Sequence, residues 1–216
     1  MTKTDQKVKE IKQSFRQMMD GQVAQSMRQK GVDYHLNWGA TLPRLREMAE
    51  KIGTHPLPKE GEYSSTYSLA IALWKENIRE CKILATMLMP PEEMLPEVAD
   101  IWMEQTETVE IAEQLAFNLM QHVPFAAEKA FLWISSADDL PQICGYHILS
   151  RLFMRKQEPN ERGINEFIDQ ALAALQSPTP PLRKAAMQSV IHFADMGLMY
   201  SRIASSAIHS IGLDFL

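Results

Sequence analysis

An all-α chain, folded as an α-α superhelix of antiparallel helix pairs, is predicted by three features of the sequence. Apolar residues recur with a helical period almost throughout, no stretch alternates as a half-buried strand must, and one helix pattern returns four times. With 216 residues, 45% of them apolar, the chain is long enough for one domain that removes roughly 70% of the unfolded surface from water.

The elements follow in order. Val8, Ile11, Phe15 and Met18 predict a helix over 5–29, and Leu42, Leu45, Ala49 and Ile52 predict one over 42–52, with Thr41 as N-cap and Gly53 as its stop. Prolines then punctuate the chain at 56, 58, 90, 91, 96, 124, 141, 159, 178, 180 and 181. Between them, runs of about a dozen residues keep the 3.6-residue period. They predict helices near 64–76, 78–89, 92–104, 108–121, 125–135, 140–155, 161–176, 180–195 and 200–211.

The recurring pattern is a small residue followed by apolar positions at +3, +4, +7 and +8. It reads Cys81-Leu84-Ala85-Leu88-Met89, then Ala112-Leu115-Ala116-Leu119-Met120, Gly145-Ile148-Leu149-Leu152-Phe153 and, more loosely, Ala186-Ser189-Val190-Phe193-Ala194. Stacked HEAT-like pairs in a short curved solenoid account for four such matches with helical hairpins between them. The expected organisation is a single domain over 1–216, with basic helices in 1–60, repeats in 64–195 and a cap in 200–216. The same register puts positions −2 and +1 on one neighbouring face: Arg79 and Lys82, Glu110 and Glu113, Ile143 and Tyr146, Lys184 and Met187.

Charge is unevenly spread. The net charge is −5, but residues 1–60 carry +4, residues 61–120 carry −8 and residues 121–216 carry −1. A bipolar surface whose basic part meets an anion is one reading, and solvated helix faces are the other. The opening residues have no apolar targeting segment and no run approaches the roughly 18 apolar residues of a membrane span, so a cytoplasmic protein away from membranes is expected. Cys81 and Cys144 read as two buried thiols, and no histidine stands at metal-ligand spacing from either.

Glycine-rich phosphate loops, nucleophile elbows, HExxH and calcium loops are absent, so no cofactor and no metal ion are expected. His35, His55, His122, His147, His192 and His209 are scattered. The fourteen methionines read as core filler, and Trp38, Trp74, Trp102 and Trp133 as packing residues with base stacking as the lesser alternative.

One segment carries a resemblance. Tyr34-His-Leu-Asn-Trp-Gly-Ala-Thr-Leu-Pro-Arg-Leu-Arg-Glu47, followed by Leu73-Trp74, Arg79-Glu80 and Ala85, and later by Leu182-Arg183-Lys184-Ala185, is similar to the AlkD-like DNA alkylation repair family of HEAT-like repeat DNA glycosylases. The resemblance implies duplex DNA held in a basic concave groove and excision of cationic alkylpurines with a carboxylate near the sugar. The chemistry is economical, because a cationic base leaves readily and the carboxylate need only stabilise an oxocarbenium-like sugar and orient water.

The sequence departs from the family where the catalytic aspartate falls near Ala112 or Glu113, the groove arginine near Tyr146 and a groove tryptophan near Gln188. On this reading Glu113 or Glu110 supplies the carboxylate, Tyr146 stacks on the sugar, and Arg44, Arg46, Arg79, Lys82, Arg183 and Lys184 meet phosphates. Two alternatives stay open. One is a catalytically inactive DNA-binding relative whose footprint includes Lys3, Lys7, Lys9 and Lys12. The other is a protein-interaction scaffold with an acidic groove at Glu107, Glu110 and Glu113.

Overall fold

The structure is a computed structural model that describes residues 2–29, 32, 34–53 and 64–216; His55, Pro56 and Pro58 lie outside it. Among the described residues there are twelve α-helices and no strand. The chain divides into two compact units, Met1–Trp102 and Met103–Leu216.

In unit 1, α1 (Lys3–Gln17) starts from a capping box in which Thr2 and Asp5 exchange backbone and side-chain hydrogen bonds of 2.8 and 3.1 Å. The backbone N–H of Thr2 on the Asp5 carboxylate holds that acid below its ordinary range. The helix expected over 5–29 is two helices. Asp20 Oδ1 accepts from the backbone of Gln22 and Val23 and so caps a new start, making α2 (Gly21–Gln29). In α3 (Leu42–Ile52) Thr41 is extended but makes no side-chain cap bond, and Pro43 in the first turn sets the entry instead.

Ser64 caps α4 (Ser65–Trp74) by accepting from the Tyr67 N–H. After it come α5 (Arg79–Leu88) and α6 (Pro96–Glu104), which contains the division between the units. Helix α5 packs on α3 and α4, and α4 packs on α1.

The strongest constraint in unit 1 is a buried ion pair. Glu80 Oε1 accepts from the backbone N–H of Trp38 and Ala40, each at 3.1 Å, and lies 3.3 Å from Arg79 Nη1, which itself donates to the Ala40 carbonyl at 2.8 Å. Both side chains are essentially inaccessible. The irregular segment before α3 is thereby fastened to the first turn of α5. Gly39 sits within it at φ +79°, and a Cβ there would lie 2.2 Å from the Asp20 carbonyl oxygen, so only glycine fits.

Unit 2 is built of α7 (Val109–Leu115), which continues as a π-helical turn over Ala116–Met120, then α8 (Ala126–Ile134), α9 (Asp139–Met154), α10 (Glu161–Leu175), α11 (Pro180–Ala194) and α12 (Leu198–Ser210). Helix α9 contacts α7, α8 and α11, while α10 contacts α8, α11 and α12. This is the two-layer stacking of helix pairs, with α7, α9 and α11 in one layer and α8, α10 and α12 in the other. Edge-to-face rings join the layers at Phe153 to Phe167 and Phe193 to Tyr200, and Phe153 meets Phe193 within one layer; the centroids are 5.0 to 5.4 Å apart.

The four repeated stripes fall on α5, α7, α9 and α11, and every one of their residues is buried. Their small first residues have a reason. A Cβ on Gly145 would stand 2.8 Å from both the Ala130 carbonyl oxygen and Ile134 Cγ2, so α9 lies against α8 more closely than a larger residue permits. Cys81 and Cys144 are free and buried; burial pushes the Cys81 thiol up to about 12 and raises Cys144 as well.

Two stability outcomes follow. Gly145→Ala overpacks the α8–α9 contact and lowers the urea midpoint by an amount equivalent to about 1–3 kcal/mol. Glu80→Ala removes the carboxylate from beside the buried Arg79 guanidinium and from two backbone N–H groups, and costs about 3–5 kcal/mol in the same titration.

Candidate functional site

A cavity of about 520 Å³ opens in unit 2 where α7, α9 and α11 lie side by side, and its wall is unusually rich in chemistry. Helix α7 contributes Glu113 and Phe117, α9 contributes His147 and Arg151, and α11 contributes Lys184 and Gln188. Each pair is four residues apart, so each helix presents two consecutive turns to the same opening.

Local structure places these side chains. Thr108 caps α7 by accepting from the Ile111 N–H at 3.3 Å. The π-helical turn that ends α7 is closed from outside: the Gln121 amide donates to the Phe117 carbonyl, and Arg155 at the end of α9 donates to both the Gln121 side chain and its carbonyl at 2.7 and 2.6 Å. A π turn carries an extra residue in the helical circuit, and such turns commonly sit at functional sites. Helix α11 starts with Pro180 and Pro181, which fit its first turn but have no N–H to offer. An anion at this end of the cavity therefore depends on side-chain cations.

Phe117 is the organising ring. The His147 ring meets it edge-on at 4.8 Å and the Arg151 guanidinium lies 4.7 Å from its centroid. His147 Nε2 stands 3.7 Å from Glu113 Oε1; the histidine is nearly buried, whereas 39% of the Glu113 side chain reaches solvent. The cavity thus holds one accessible carboxylate beside an imidazole, a guanidinium and the exposed ammonium of Lys184.

The sequence-predicted residues divide sharply. Glu113 and Lys184, 71 positions apart, meet in the cavity. Glu110 is half-buried one turn earlier on α7 and is not among the cavity's lining residues. Tyr146 does not reach it either: the ring is fully buried against Phe167, and its hydroxyl, raised by burial, has no hydrogen-bond partner among the described residues. The expected register is one residue out on α9, a rotation of about 100°, and His147 occupies the place given to Tyr146.

Arg79 is likewise an interior residue committed to Ala40 and Glu80, not a phosphate ligand on an outer face. Lys82 is buried with its ammonium 5.2 Å from the Trp74 ring centroid. Arg183 donates to the Ser177 carbonyl at 2.6 Å and closes the turn before α11. Arg44 and Arg46 are exposed on α3 of unit 1.

Sequence reasoning missed Phe117 and Arg151 as lining residues, left His147 among the scattered histidines and reached Gln188 only as the place of the family's groove tryptophan. The available signal was the shared i, i+4 spacing on three successive repeat helices. The polar row also continues beyond the cavity. His192, one turn past Gln188 on α11, has Nδ1 2.6 Å from Ser150 Oγ, and burial, with the Arg151 charge adding to it, lowers its pKa despite the opposing pull of Asp195.

A histidine whose folded pKa is lowered binds its proton more readily in the unfolded chain. Its stabilising contribution is therefore complete above the unfolded value of about 6.5 and is lost as the pH falls below it. Between pH 7 and 5, stability from chemical denaturation declines, and His192→Gln makes that decline shallower.

A model of the DNA alkylation repair enzyme family matches residues 11–186. Among solved structures, the chain is similar to one described as belonging to "a new family of proteins related to the HEAT-like repeat DNA glycosylases with affinity for branched DNA structures", with a TM-score of 0.78 over 94% of this chain and 83% of that one, at 15% identity. That likeness gives the fold as an α-α superhelix of HEAT-like helix pairs. No curated protein matches the sequence.

Proposed function

The chain belongs to the DNA alkylation repair enzyme family, and from that premise we propose that it binds DNA at the α7–α9–α11 cavity of unit 2, with Arg151, Lys184 and His147 on the phosphate backbone and Glu113 facing the sugar. The carrying observation is the composition of that cavity: one accessible carboxylate set among three basic side chains from different helices. Phosphate contacts of this kind position the duplex without reading its sequence.

Glu113 is suited to removal of a cationic alkylpurine. Its carboxylate stabilises the positive charge that develops on the sugar as the glycosidic bond breaks, and it orients the attacking water. The His147 imidazole stands beside that carboxylate, its Nε2 3.7 Å from Glu113 Oε1. Glutamate in place of the family's aspartate lengthens the reach by one methylene, and the π turn re-aims the end of the same helix.

A second reading, DNA binding without excision, is favoured by two observations. Tyr146, matched to the family's groove arginine, is a core residue, and the structural neighbour is described by its affinity for branched DNA.

Release of N-methylated purines from alkylated duplex DNA tests the first reading, with binding to linear and branched duplexes followed in parallel over a salt series. Excision by the native chain that drops about 10²–10³-fold in Glu113→Gln supports Glu113 as the carboxylate. Full release by that variant removes Glu113 from the reaction. Salt-sensitive binding without release leaves the second reading, and binding that ignores salt sinks the phosphate contacts altogether.

A further inference from the structure

The cations of the first quarter of the chain are not used by the cavity of unit 2. In unit 1, α1 buries Val8, Ile11 and Phe15 and presents its two flanks to two clefts. One, of about 480 Å³, lies against α3 and is lined by Lys7, Arg44 and Lys51. The other, of about 590 Å³, lies against α4 and is lined by Lys9, Lys12 and Lys75.

Carboxylates are present in both clefts, and several groups of either sign are already engaged. In the α4 cleft, Asp5 is held in the capping box and Glu76 is paired with Lys12 at 2.7 Å. In the α3 cleft, Glu10 accepts from the Gln6 amide, leaving Glu47 as the other acid. Each cleft keeps one more cation than it has acids. The excess stands out because residues 1–60 carry +4 while the rest of the chain carries −9.

We infer that the α1 ridge, with the clefts on its two flanks, is a second seat for a DNA phosphate backbone, carried by unit 1. The inference rests on the reading of the chain as a DNA-binding protein but on none of the residues of the unit 2 cavity. Lysine and arginine on flexible stems, set along a helix and facing neighbours on α3 and α4, suit a linear polyanion. They gain affinity by releasing counterions and read no base. The partner is the sugar-phosphate backbone itself, independent of any damaged base.

The salt dependence of duplex binding tests this. Arg44→Gln and Lys75→Gln remove one exposed cation from each cleft, and a thermal midpoint equal to that of the native chain is the control for folding. In the double variant the slope of log affinity against log salt becomes shallower by about 1.8, and in Lys184→Ala, which probes the cavity of unit 2, by about 0.9. An unchanged slope in the double variant beside a changed one in Lys184→Ala overturns the second seat and leaves the cavity reading standing. The reverse pattern sustains the second seat and overturns the cavity's role in binding. Loss of neither overturns both. Should the double variant unfold, each single substitution carries the same reading at half the change.

Discussion

The buried pair of Arg79 and Glu80 is the constraint on which unit 1 depends. Two charges taken out of water are costly unless their remaining hydrogen-bonding capacity is met. Here backbone meets much of it: two N–H groups of the 34–41 segment bond Glu80 Oε1 and the Ala40 carbonyl accepts from Arg79, while the buried Glu80 Oε2 has no hydrogen-bond partner among the described residues. The arrangement converts an irregular segment into a fixed part of the fold. It also explains why the stretch that most resembles the family is a structural one. Trp38 packs on Phe15 at 5.9 Å, Gly39 fits against Asp20, and Arg79-Glu80 holds the ends together. Residues that identify a lineage need not be those that do its chemistry.

Most of the architecture was legible because it rests on a period and on punctuation. A stripe of small and apolar residues at fixed offsets must be buried whatever else the helix does, and Cys81, Ala112, Gly145 and Ala186 mark four such stripes. Proline at the head of α11 marks a helix start for the same local reason, whereas the helix expected near 92–104 begins only at Pro96. The break at Asp20 was not legible from apolar spacing, since the aspartate interrupts the helix by offering a competing cap without disturbing the period.

The site was legible only in part. Flanks of a buried stripe are predicted by angle, and a one-residue error in angle exchanges a core ring for a cavity wall. That is the difference between Tyr146 and His147. Arg79 and Lys82 show the complementary failure, because charge alone does not reveal that a cation has an interior partner. Unit 2 places its wall residues on three helices separated by whole repeats, so their convergence belongs to the packing of α7, α9 and α11 and to no local motif. The overall charge of −5 misleads similarly, since a binding surface responds to the few charges lining it more than to the sum.

The fastening of the 34–41 segment also has a temporal side. Trp38 and Ala40 bond to a carboxylate 42 and 40 residues further along the chain. At ribosomal rates of about 5–20 residues per second, those residues are made roughly two to eight seconds before their anchor exists. During that interval the Trp38 ring has no finished α5 to close over it, and the segment is exposed to premature association. Unit 2 has waits of the same length, since Ser150 bonds His192 and Asp139 bonds Thr179 across 42 and 40 residues. In unit 1, Glu80 is the residue whose arrival ends the wait of the 34–41 segment.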